Sequence, residues 1–258
     1  MKLLLIAAIL AAPLQAATID ATPATFANVI KAAAPGDVVN LASGDYGAGV
    51  IVNRTWLPPL IVNASKATFS NATGYAMKLT NVQGLTLVGG TYTRAKRGIV
   101  MDGVKDVKVS DAILTGLQTD GINIASSKRV VVDHVQCADF APLTGDHPDC
   151  VQMWSVAGKT PTSDIVVSRS VAIGDMQGFA GFNHVRNGVD DGGFDRVTMT
   201  GNTATITYNH GIVIYDCRGC TITEIRANSL GTAWTQVAVT RCTGCTFARN
   251  YIGPRPKP

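Results

Sequence analysis

Seven short segments share one pattern: a polar residue or glycine, an apolar residue, a variable one, then a second apolar one. They are Gly84-Leu85-Thr86-Leu87, Asp106-Val107-Lys108-Val109, Arg129-Val130-Val131-Val132, Asp164-Ile165-Val166-Val167, Arg196-Val197-Thr198-Met199, Gly219-Cys220-Thr221-Ile222 and Gly244-Cys245-Thr246-Phe247. Their first residues are spaced by 22, 23, 35, 32, 23 and 25 positions. A second family of short strands falls between them: Gly98-Ile99-Val100-Met101, Gly121-Ile122-Asn123-Ile124, Cys150-Val151-Gln152-Met153, Gly211-Ile212-Val213-Ile214 and Gln236-Val237-Ala238-Val239. Alternation of this kind is the signature of a strand, and a fixed period is that of a stacked solenoid. A period of this length with no helical stretch inside it predicts an all-β parallel β-helix, one coil per repeat. A leucine-rich repeat would need a ladder of leucines that is absent. A sandwich or barrel would not place two registered strands in every period.

Composition agrees. Val, Ile and Thr, which fit a pleated surface, outnumber Leu, and Glu224 is the only glutamate. Charged residues make up 16% of the chain, which excludes a disordered or charge-tail protein. A net charge of +4 over 258 residues is too small for a nucleic-acid partner or for binding a membrane surface by charge. Residues 1–16 (MKLLLIAAILAAPLQA) carry one early lysine and an apolar run too short for a membrane span. They read as a signal peptide, so the expected location is secreted or periplasmic. Residues 17–253 are expected to form a single β-helix domain, in a monomer.

An open solenoid end needs a plug. Phe26, Val29, Ile30 and Ala33 fall on one helical face, which predicts a capping helix over 23–34, ended by Pro35-Gly36. Val38, Val39 and Leu41 are then expected to begin the sheet, and the Pro-rich tail 254–258 to stop strand addition.

The segment APGDVVNLASGDYGAGVIVN (34–53) resembles the opening coil of the pectin-lyase-like superfamily of secreted right-handed β-helices. That superfamily includes polysaccharide lyases, polygalacturonase-like hydrolases and mannuronan epimerases. With the coils behind it, the likeness covers nearly the whole mature chain. It implies a right-handed parallel β-helix and a polysaccharide partner, an acidic one where the reaction is elimination or epimerisation, while leaving the reaction open.

Residues at one register of stacked coils form a ladder about 4.8 Å apart. The position before each second strand gives Arg97, Asp120, Asp149, Gln177, His210 and Thr235. Further along the strands, Asn123, Gln152, Ala180 and Val213 take the outward side. The two long coils place extra residues at 138–148, 154–163 and 182–195, with His147, Trp154, Lys159, His184, Arg186, Asp190 and Asp191 among them. Loops on a rigid scaffold are where binding residues gather. The candidate catalytic residues are therefore Asp120, Asp149, His147 and His210. Gln152, Trp154, Gln177, His184, Arg186 and Asn123 are candidates for binding substrate, with Trp154 a stacking platform for a sugar. Each has a plain alternative: an Asp or His before a strand also serves as a turn residue.

Three functions fit. Glycosidic hydrolysis needs two carboxylates roughly 5–9.5 Å apart, and Asp120 with Asp149, one coil apart, reach the lower part of that range. Gln118-Thr119-Asp120-Gly121, His147-Pro148-Asp149-Cys150 and Asn209-His210-Gly211 resemble, in order, the Asn-Thr-Asp, Asp-Asp and Gly-His-Gly motifs of polygalacturonases. The second Asp here is single, and no Arg-Ile-Lys equivalent follows. The first expectation is thus a hydrolase-like paired-Asp site. Elimination or epimerisation of a uronate is the alternative. A histidine (147, 184 or 210) would be the base and Arg186 the neutraliser, with Asp120 and Asp149 as a Ca²⁺ site; no cofactor is otherwise required. Binding without turnover is the third.

Six cysteines in an exported chain predict disulfides. Cys217 and Cys242 lie one 25-residue coil apart, so a cross-coil bridge between them is expected, with Cys220 and Cys245 bridged or stacked inward. Cys137 and Cys150 bracket an insertion and are expected to pin it. Zinc is disfavoured, because the spacing of the two Cys-x-x-Cys pairs is the coil repeat itself.

Overall fold

The computed structural model describes residues 15–256. Most of the signal-peptide segment and the last two residues of the tail lie outside the described residues. The chain winds as a parallel β-helix, the fold that the repeat and the family resemblance both imply. One column of side chains passes through every coil: Ile19, Val39, Val62, Leu87, Val109, Val132, Val167, Met199, Ile222 and Phe247 are successive partners in parallel register. The eight inner members are buried, whereas Phe247, on the last coil, is 51% exposed. A second inward column, Ile99, Ile122, Val151, Phe179 and Ile212, has no exposed surface.

The polar-or-glycine position that opens each repeat has a backbone cause. Gly84, Asp106, Arg129, Asp164, Arg196, Gly219 and Gly244 all have φ between 52° and 74°. Each turns the chain at the same corner in the left-handed region, where glycine is free and short polar residues are tolerated. A bulky arginine there needs support. Arg129 donates to Asp106 and Arg196 to Asp164, each through Nε and Nη2, so the corners of neighbouring coils are cross-tied. A further corner follows the same rule at Asp111, His134, Arg169, Gly201, Glu224 and Arg249.

The N-terminal plug is helix α1 (Phe26–Ala32), which buries Phe26 and Ile30 as the periodicity predicts. Phe26 begins a chain of aromatic contacts that continues through Tyr46, Phe69 and Tyr92, with centroids 5.3–5.5 Å apart from one ring to the next. The sheet starts earlier than expected. Strand β1 (Thr18–Ala21) precedes the helix and pairs in parallel with β2 (Val38–Leu41). Thr18-Ile19-Asp20-Ala21 is too short a run to announce a strand by itself, and the pairing with β2 is what holds it.

The cysteines correct one expectation. The bridges are Cys137–Cys150, Cys217–Cys220 and Cys242–Cys245, so Cys217 and Cys242 do not join across coils. Each Cys-x-x-Cys spans one left-handed corner, at Gly219 or Gly244. The turn brings its own two Cα atoms to 6.1 and 6.0 Å, within disulfide reach. The Cys137–Cys150 bridge does pin the first insertion.

Two outcomes test this architecture. Phe69→Ala removes a fully buried ring from the middle of the aromatic chain and should cost about 3–5 kcal/mol, read as a lowered urea midpoint. Peptide mapping of the unreduced protein should recover the three local bridges and no Cys217–Cys242 peptide.

Candidate functional site

The insertions leave the coils in register: Asp149 pairs with Gln177, Trp154 with Phe182 and Phe179 with Ile212, so the extra residues are displaced into loops on one face. His210 pairs with Gln236 rather than Thr235, because the register shifts between His210 and Ile212. Thr235 instead turns inward, where its hydroxyl donates to the Tyr208 carbonyl at 2.8 Å.

Asp120 and Asp149 do converge, but beneath the surface. The Asp149 backbone N–H donates to Asp120 Oδ1 at 3.2 Å, and Asn123 Nδ2 donates to Asp120 Oδ2 at 3.0 Å. Arg97 Nε stands 3.2 Å from that same Oδ2. Gln152 Nε2 donates to Asp149 Oδ2 at 2.9 Å, while Asp149 Oδ1 is buried without a partner. Asp149 and Asn123 have no exposed surface, and Asp120 has 4%. The expected hydrolase-like site of paired carboxylates is therefore not open to a substrate. Instead the carboxylates sit in an enclosed polar knot below the 138–148 loop. That loop is held by the Cys137–Cys150 bridge and by Gln118 Nε2 donating to Asp146 Oδ2 at 2.9 Å. His147 is exposed on it, its ring centroid 6.3 Å from that of Tyr208.

Burial raises both carboxyl pKa values, Asp149 well above the ordinary carboxylate range. For Asp120, the Asn123 hydrogen bond and the Arg97 charge oppose the burial effect. For Asp149, the Asp120 charge adds to it. The charge is thus favoured on Asp120 and the proton on Asp149. Two coils beyond Asp149, burial lowers the pKa of half-buried His210, which favours neutral imidazole. His210 Nδ1 and Gln177 Oε1 lie 2.6 Å apart, so Nδ1 is the protonated nitrogen and the donor.

The open site lies two strand positions further along. A cleft of about 360 Å³ is lined by Gln152, Trp154, Ser155, Val156, Phe182, His184, Arg186 and Asp191. The candidates Gln152, Trp154, His184 and Arg186 meet here, whereas Asp120, Asn123, His147, Asp149, Gln177 and His210 do not line it. Its walls are the two insertions. One starts at Trp154 and is closed at its base by Thr162, whose hydroxyl donates to the Trp154 carbonyl at 2.7 Å. The other forms a small hairpin, Val185–Arg186 against Val189–Asp190. Ser155 Oγ donates to the Gly193 carbonyl and ties the walls together. Gly193 is required at this junction: φ is +61°, and a Cβ there would lie 2.2 Å from the Asp216 carbonyl oxygen. Inside, His184 Nδ1 is 3.5 Å from Asp191 Oδ2, and Arg186 is exposed beside them. Trp154 and Phe182 are half-buried.

Phe182 and Asp191 were not among the sequence candidates for the site. Phe182 follows Ala180 by two positions as Trp154 follows Gln152, so carrying the outward column two residues further reaches it. Asp191 lies in a loop whose fold only the tertiary structure fixes.

The donors do not suit calcium. Ca²⁺ takes roughly six to eight oxygens, but Asp120 is already engaged by Arg97 and Asn123, and Asp149 Oδ2 by Gln152. Among the described residues no group of three or more His, Cys, Asp or Glu could hold a metal ion. Both Cys-x-x-Cys pairs are disulfides.

Fold and site together define a parallel β-helix protein with a loop-walled, aromatic and basic cleft on one face. No protein-family model matches the chain, and no curated protein matches it. Among solved structures, it is similar to an alginate lyase from Paenibacillus sp. str. FPU-7, at 15% identity and a TM-score of 0.46 over 90% of this chain and 99% of that one. It is also similar to pectate lyase Pel9A, at 13% identity and a TM-score of 0.43 over 92% of this chain and 79% of that one.

The buried pair has a measurable consequence. Asp149 keeps its proton in the folded state at pH values where the unfolded chain has released it. The unfolded state therefore binds fewer protons, and stability from this group falls as pH rises above the ordinary carboxylate range. Asp149→Asn should lose that dependence. Its melting temperature relative to wild type should climb as pH rises above the ordinary carboxylate range.

Proposed function

We propose that this chain is an exported polysaccharide lyase that cleaves an acidic, uronate-containing chain by β-elimination in the cleft of Trp154, Phe182, His184, Arg186 and Asp191. The observation that carries the reading is the His184–Asp191 pair facing a cleft that also holds the exposed Arg186 guanidinium and two aromatic rings. Elimination needs a neutraliser for the uronate carboxylate and a base for the adjacent C5 proton. The Arg186 guanidinium suits the first role, since its fork of N–H donors matches a carboxylate and withdraws the charge that resists C5 deprotonation. His184 suits the second. Asp191 on the Nδ1 side orients the imidazole and leaves Nε2 for the substrate. As the C5–H bond breaks, the proton passes to His184, the C4=C5 double bond forms, and the C4–O bond breaks. The leaving oxygen then takes a proton from solvent. Trp154 and Phe182 offer faces on which sugar rings stack.

Hydrolysis by paired carboxylates has less support, because the two that converge are enclosed below the surface, out of reach of a sugar chain. Export is supported by the three disulfides, which persist in oxidising compartments. Among the described residues no helix is long and apolar enough to cross a membrane.

The test is a panel of uronate and neutral polysaccharides, reading unsaturated ends by ultraviolet absorbance and new reducing ends chemically. Both should appear together on a uronate polymer. Reducing ends without absorbance would establish hydrolysis, and neither signal would favour binding alone. On the substrate found, Arg186→Ala and His184→Ala should each lower kcat/KM by about 10²-fold or more. Asp191→Asn should reduce kcat with little change in KM. Asp149→Asn should stay within a few-fold of wild type.

A further inference from the structure

The cleft accounts for two of three aromatic rings that stand in one line on the outer face of the sheet. Trp154 is the register partner of Phe182 on the next coil. The Phe182 and Tyr215 rings then meet at 5.7 Å in an edge-to-face contact, with Tyr215 one coil further on. All three are half-buried on the outward side, each following an inward residue (Met153, Gly181 and Ile214). Elsewhere this same outward column holds Thr80, Asp102 and Ala125 before the rings and Thr240 after them. The run of aromatics is thus confined to the three coils beside the insertions, and the inward core does not require it.

Both ends of the line are closed by polar groups. On the N-terminal side, Lys159 Nζ lies 3.6 Å from Asp102 Oδ1. On the C-terminal side, the Arg241 guanidinium carbon lies 5.9 Å from the Tyr215 ring centroid. Arg241 is held there by Asp216, with Nη2 donating to Oδ2 at 2.7 Å. Its charge is already paired, so it fixes the ring more than it offers a site for an anion.

We infer that Trp154, Phe182 and Tyr215 form an aromatic track that binds a sugar chain running parallel to the helix axis, with Tyr215 a binding position outside the cleft. This rests on the polysaccharide reading above. The rise between coils is about 4.8 Å, comparable to the length of one pyranose ring, so successive coils can meet successive sugars. The apolar faces of sugar rings pack on aromatic surface and leave their hydroxyls to water. A chain laid across the strands would touch one ring only. A chain laid along the axis touches three, and a short oligomer confined to the cleft never reaches Tyr215.

Full-length His184→Ala protein, which should bind without cleaving, gives the test by calorimetry. The probes are disaccharides and hexasaccharides of galacturonate and of mannuronate. In this background the hexamer of the preferred uronate should bind more tightly than its dimer. Adding Tyr215→Ala should weaken the hexamer about tenfold and leave the dimer within twofold. Tyr215→Leu keeps apolar volume for folding and should show the same selective loss, while Tyr215→Phe should restore hexamer binding. Unchanged hexamer affinity in both the Ala and Leu variants would overturn the track while leaving the cleft intact. Equal losses for dimer and hexamer would overturn it too, by placing Tyr215 in the cleft. If no uronate oligomer binds the parent, the polysaccharide reading itself falls, and the track with it.

Discussion

Everything in this molecule depends on parallel pairing of each coil with the next at a constant register. The inward column from Ile19 to Phe247 passes through every coil because the register never slips along that strand position, even where a coil grows to 35 residues. A slip of one residue would send a whole set of Val, Ile and Leu side chains outward. The left-handed corners enforce the register by ending each strand at the same place. The Arg–Asp ties between neighbouring corners, exposed as they are, contribute more to alignment than to stability.

That constancy makes the outer face a ruler. Because the strands of the two long coils keep their register, their extra residues are pushed out as loops and become the walls of the cleft. The rigid sheet supplies the floor, and Gln152, Trp154 and Phe182 belong to it. The loops supply His184, Arg186 and Asp191, which carry the reactive groups. The same ruler sets the aromatic track, since three rings one coil apart cannot avoid forming a line along the axis.

The enclosed knot of Asp120, Asn123 and Asp149, which Gln152 of the cleft floor bonds from above, is a different use of the same stacking. A carboxylate without an exposed face is costly unless it is paired or protonated. Here Arg97 and Asn123 serve Asp120, while burial and the Asp120 charge favour the protonated form of Asp149. The arrangement joins neighbouring coils through polar side chains below the 138–148 loop, and its role is read more readily as support for the face than as chemistry on a substrate.

The sequence by itself determined the coil, its repeat, the corner positions, the capping helix and the face on which the insertions gather. These are local or periodic properties: alternation, a polar or glycine turn residue, and one apolar helical stripe. Of the site, Gln152, Trp154, His184 and Arg186 were legible because they lie on or beside the outward column next to the long coils. Only the tertiary structure decided that Asp149 and Asn123 lie beneath the surface. Loop coverage is non-local, and a register position does not say what folds over it. The partners of Cys217, Cys220, Cys242 and Cys245 were also decided by the folded chain, because the corner at Gly219 or Gly244 brings its own Cys-x-x-Cys within reach. Asp191 meets His184 for a like reason: the two are joined by a hairpin whose path is set by the wall it packs on.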